Sequence, residues 1–89
     1  MKAVITVTGR DSLGIIAKVS GECLKFNVNI LDISQSVLKE FFAMSMLVDI
    51  SGINIPFGEF VDAMNALGER NNLKIYTMHE DIFNSMHRI

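Results

Sequence analysis

The sequence predicts an α+β fold: a four-stranded antiparallel sheet with two helices on one face and a short helix at the C-terminus. Three observations carry this. Period-2 runs rich in β-branched and apolar residues recur along the chain. Two stretches between them repeat apolar residues every three to four positions. Their order is strand, helix, strand, strand, helix, strand.

Lys2 to Thr8 alternates, with Ala3, Ile5 and Val7 on one side and Val4, Thr6 and Thr8 on the other, and Gly9 ends the run. The loop Gly9-Arg10-Asp11-Ser12-Leu13-Gly14 opens a helix, with Asp11 or Ser12 expected as the N-cap. Ile16, Val19, Cys23 and Phe26 follow helical spacing. Gly21 would cost about 1 kcal/mol against Ala in mid-helix, which reads as a close helix–sheet contact, and Asn27 suits a left-handed residue after the helix. Strand two begins at Asn29, with Leu31, Ile33 and Val37 alternating against Asp32, Ser34 and Ser36. Lys39-Glu40 reads as a tight turn into strand three, where Phe42, Met44, Met46 and Val48 share the core face. Pro56 fits the first turn of the second helix, whose stripe is Phe57, Phe60, Val61, Met64 and Leu67, and which Gly68 and Asn71-Asn72 terminate. Leu73 to Met78 makes strand four. Residues 80–89 carry Ile82, Phe83, Met86 and Ile89 at helical spacing, with Glu80 and Asp81 where the helix dipole favours acids. This is the split β-α-β, or ferredoxin-like, order, and residues 1–89 are expected to form one domain. The sheet face away from the two helices would present Val4, Leu38, Leu47, Tyr76 and Met78 among serines, an apolar mix that calls for cover by the terminal helix or another subunit, with the neighbour's helix preferred.

The totals exclude several classes. Eight basic residues against ten acids, a net charge of −2, make no polyanion-binding surface. One cysteine, Cys23, allows no internal disulfide and fits a reducing compartment. The N-terminus lacks a signal-peptide core, and no apolar run approaches the roughly 20 residues of a membrane span, so a cytoplasmic location is expected. His79 and His87 form no metal-ligand cluster with other residues, and no cofactor motif is present, so no metal and no cofactor are expected. At 49% hydrophobic with six Phe and six Met, so short a chain has apolar surface to share with a second copy.

The Gly9–Ile16 stretch, followed one helix later by Asn29-Ile30-Leu31-Asp32-Ile33, resembles the ACT domain. The usual pattern there is an Asp, a Gly three residues on, an apolar helix, and Asn-Ile entering strand two; Asp11, Gly14, Asn29 and Ile30 match it, while Ser12-Leu13 departs from the Arg-Pro pair many members carry. Nearly the whole chain is similar to the small single-domain ACT proteins of bacteria and archaea related to the regulator of the glycine cleavage system. The resemblance implies a non-catalytic homodimer or higher homo-oligomer that binds an amino acid or similar metabolite and regulates a partner protein in trans. It implies a site at Asp11, Ser12, Leu13, Gly14 and Ile15 of the loop and Asn29, Ile30 and Asp32 of strand two. Backbone amides of Leu13 to Ile15 would hold a carboxylate, and Asp11 or Asp32 an ammonium group. Asp11 serves equally as a simple cap, and the glycines equally as turn residues. Two alternatives stand beside this: an oligomerisation element that binds no ligand, and, on weaker grounds, an acylphosphatase-like enzyme, for which Arg10 lies beside an acid that opposes phosphate. An RNA-binding sheet would need exposed aromatics on the central strands, and Phe42 falls on the helix-covered face.

Overall fold

In a computed structural model, described over residues 1–86, the elements run β1 (Lys2–Arg10), α1 (Ile15–Lys25), β2 (Asn29–Leu38), β3 (Phe41–Asp49), α2 (Phe57–Arg70), β4 (Leu73–His79) and α3 (Glu80–Met86). The sheet is antiparallel throughout in the order β2-β3-β1-β4, which leaves β2 and β4 as edges. This is the ferredoxin-like arrangement, and it follows from alternation. The inward residues of β1 and β3 (Ala3, Ile5, Val7, Met44, Met46, Val48) are buried against Val19 and Cys23 of α1 and Phe60 and Met64 of α2. The sequence-expected His87 and Ile89 lie outside the described residues.

The end of α1 is closed by a Schellman pattern. Asn27 takes φ 60, its amide donates to the Leu24 carbonyl at 3.1 Å, and the Val28 amide donates to the Cys23 carbonyl at 2.8 Å. The start of α1 differs from the expectation. Gly14, at φ 81, is the N-cap, and no side chain caps the helix. Asp11 is drawn away instead, because its amide donates to the Glu40 carbonyl of the β2–β3 turn at 2.6 Å. β2 also departs from simple alternation: a register shift between Ile30 and Asp32 makes Leu31 a bulge, so Ile30, Ile33, Gln35 and Val37 share the helix-bearing side. The terminal helix α3 packs on β1 and β4 of its own chain.

Gly21 is not a point of close contact. It is exposed, and a Cβ there would meet nothing within 4 Å. That role belongs to Gly68, which is buried inside α2 rather than ending it; a Cβ at Gly68 would sit 2.7 Å from the Leu73 carbonyl oxygen. Glycine here lets α2 lie against the backbone of β4. Two alanine substitutions therefore have opposite signs. Gly21→Ala raises stability by about 0.5–1 kcal/mol through helix propensity, a rise of several degrees in Tm, whereas Gly68→Ala forces α2 off β4 and lowers stability by about 1–3 kcal/mol; thermal unfolding of the two variants checks both.

Candidate functional site

The loop between β1 and α1 and the outer half of the β2–β3 hairpin face each other. The hairpin register pairs Val37 with Phe42 and Gly9 with Phe42, so the end of β1 lies one strand from β2. A cavity of about 400 Å³ opens between them. Asp11, Ser12, Gly14 and Ile15 line it from the loop and helix start, and Gln35, Ser36 and Val37 from β2. Ile16 and Ala17 continue the helix wall, and buried Phe42 forms the floor. The first amides of an α-helix lack partners inside the helix, and no side chain caps these. They lie beside Asp11, Ser12 and Gln35 in the lining of the cavity. Such a cavity accepts a small molecule with an anionic end, a cationic or hydrogen-bonding end, and a short apolar body.

The sequence-expected residues divide. Asp11, Ser12, Gly14 and Ile15 converge on the cavity. Leu13 is 97% exposed and does not line it. Asn29, Ile30 and Asp32 stand at the opposite end of β2, with Asn29 roughly 20 Å from Gln35 at about 3.3 Å per residue; Asp32 faces the other side of the sheet, where its carboxylate accepts the Ile33 amide at 2.9 Å. Gln35, Ser36, Val37 and Phe42 were not singled out from sequence for this site. The Lys39-Glu40 turn carried the signal, since counting back from it places Val37 opposite Phe42.

An ACT domain sequence profile matches residues 2–74. The chain belongs to the ACT domain family. The UPF0237 protein CPE1496 of Clostridium perfringens is 48% identical over 89 residues, covering 100% of both chains, which places this ACT domain within the UPF0237 group. An ACT domain protein from Streptococcus pneumoniae is 41% identical, superposes with a TM-score of 0.81 and covers 98% of each chain. A putative glycine cleavage system transcriptional repressor, 24% identical with a TM-score of 0.70, shares the fold over 85% of this chain and 43% of its own. ACT domains are regulatory modules that bind small molecules and often dimerise.

Elsewhere in this ACT domain, Arg10 Nη1 stands 3.9 Å from the Glu40 carboxylate with its side chain largely in solvent. The His79 ring lies 4.2 Å from that of Phe57. Among the described residues no group of three or more His, Cys, Asp or Glu is placed to hold a metal ion, and no helix is long and apolar enough to cross a membrane. Cys23 packs in the core, where burial, reinforced by the nearby Glu22 carboxylate, pushes its thiol pKa up to about 11. The reactive thiolate is thus suppressed at neutral pH. In the native protein Cys23 should resist a thiol reagent such as Ellman's at pH 7.5 and react at once in denaturant; rapid native labelling would show that α1 opens readily.

Proposed function

We propose that this ACT domain is a non-catalytic sensor: a laterally paired homodimer that binds an amino acid or similar small metabolite in the cavity at the β1–α1 loop and acts in trans on a partner protein. The observation that carries the reading is the convergence of Asp11, Ser12, the start of α1 and the outer half of β2 on one cavity. The ligand carboxylate would lie on the helix amides and its ammonium group on Asp11, with Val37, Ile16 and Phe42 against the side chain.

The lateral pairing rests on β2. It is a ten-residue edge strand without proline, and Leu31, Ile33, Val37 and Leu38 are 45%, 37%, 53% and 75% exposed along it. Such an edge invites another strand. Antiparallel pairing about a two-fold axis at Gln35 sets Ile33 against Val37 of the partner subunit on the helix-bearing side, extending the apolar wall of the cavity. The same axis sets Gln35 against itself.

Thermal unfolding against a panel of free amino acids at millimolar concentration tests the sensor. A ligand at 100 times its Kd adds about 2.7 kcal/mol, a rise of roughly 10 °C or more for a domain of this size. The rise should vanish in Asp11→Ala and persist in Asn29→Ala, since Asn29 stands away from the cavity. No rise with any amino acid, while the dimer stays intact, would favour an assembly element that binds no ligand. For the pairing, Gln35→Lys places like charges opposite each other at the axis and should lower the mass in sedimentation equilibrium without lowering helix content; an unchanged mass rejects this register.

A further inference from the structure

Among the described residues, the sheet face away from α1 and α2 is covered over only half its length. α3 crosses the end where Val4 pairs with Leu47, and Glu80 and Phe83 line a cavity of about 300 Å³ there with Asp32. The described residues leave the other end open. Leu38 and Phe41, cross-strand neighbours, are 75% and 56% exposed, and with Lys74 they border a second cavity of about 530 Å³. Between the two ends one row of hydroxyls crosses all four strands: Ser34, Ser45, Thr6 and Tyr76 stand in register.

This face is graded in charge as well as height. Among the described residues, Asp32 and Glu80 are the charged residues bordering the first cavity, and Lys74 is the charged residue lining the second. Neighbouring charges blunt the contrast without reversing it. Lys2 stands beside Glu80 at the acidic end, and Arg10 at the basic end is engaged by Glu40.

We propose that this face is a second interface between copies of the chain, formed about a two-fold axis running along the hydroxyl row, with α3 of each copy seated on the Leu38–Phe41 end of the other. Rotation about that row carries the α3-covered half of one copy over the bare half of its mate. The two α3 helices then lie side by side in a single layer about 10 Å thick between the sheets. The same rotation brings Lys74 to Glu80 of the mate, twice, as an isologous interface requires. Ile82 and Met86, 54% and 67% exposed on α3, supply apolar surface opposite Leu38 and Phe41. Charge complementarity selects this occupant. A polyanion attracted to Lys74 would be repelled by Asp32 and Glu80 across the row, whereas a second copy presents the inverse pattern.

Charge reversal tests this interface apart from the lateral one. In the Gln35→Lys background, where pairing through β2 is removed, the chain should still form a dimer. Adding Lys74→Glu or Glu80→Lys should each weaken that dimer by more than about tenfold, because like charges then meet twice. An equimolar mixture of the two reversed proteins should regain the dimer, as every contact in the mixed pair is again between opposite charges. Sedimentation equilibrium and native mass spectrometry read all four samples. A monomeric Gln35→Lys protein, reversals that leave the mass unchanged, or a mixture that stays monomeric would each overturn the proposal. If the lateral reading fails instead, Gln35→Lys leaves the wild-type mass intact, and the reversals and their mixture still decide this interface.

Discussion

Two helices have to cover four strands, and they leave part of the outer strand β2 open. α2 lies against β4, α1 contacts α2 and β2, and β2 beyond Ile30 keeps its inward-facing Ile33 and Val37 partly in solvent. The cavity at the β1–α1 loop is the space between the near wall of α1 and this uncovered strand. The exposed edge has the same origin. Had α1 been shifted to bury β2, the cavity would be filled by side chains and the edge would carry less apolar surface. The candidate site is therefore a consequence of how the helices are seated, and Gly68 sets how near α2 comes to β4. It allows α2 to approach the Leu73 carbonyl closely.

The local signals that survived in the structure were those in which a residue's own chemistry decides its conformation. Asn27 adopts the left-handed conformation expected of it, the Lys39-Glu40 turn joins the hairpin with Lys39 at φ 58, and the stripe from Phe60 to Leu67 buries as its spacing required. Gly21 and Gly68 show where such reading stops. Both are glycines on a helix, and sequence assigns each the same propensity cost. What separates them is which face of the helix meets the sheet and how near the strand backbone comes, and that is settled by tertiary packing. The cap of α1 failed for a related reason. Asp11 and Ser12 are favourable cap residues in isolation, but the Asp11 amide is held by Glu40, nearly thirty positions away, and Gly14 supplies the turn instead.

The candidate site was half legible. Its loop half is contiguous in sequence and carries the Asp-x-x-Gly spacing, so Asp11, Ser12, Gly14 and Ile15 were readable. The β2 half depends on register. A motif match points to Asn29 at the head of the strand, while the hairpin delivers Gln35 to Val37 to the cavity, six to eight residues farther along the strand. The bulge at Leu31 sharpens the distinction. It lets Ile30 pack on the core before the strand runs out along the edge, so the residues nearest the motif anchor β2 and those farther on meet the cavity.

If the lateral pairing forms as proposed, ligand binding and assembly are the same equilibrium seen from two sides. The cavity is walled on its outer flank by Gln35 and Val37, and those residues belong to the strand that a partner would join. A ligand touching both chains must raise the pairing constant by the factor by which pairing raises its own affinity. The fold need not change shape for this coupling. A small domain with an open apolar edge draws part of its stability from association, so a metabolite at that edge changes the population of assembled chains directly. Regulation in trans would then be exercised through the surface that assembly creates or hides, and the output would follow from the concentrations of both chain and ligand.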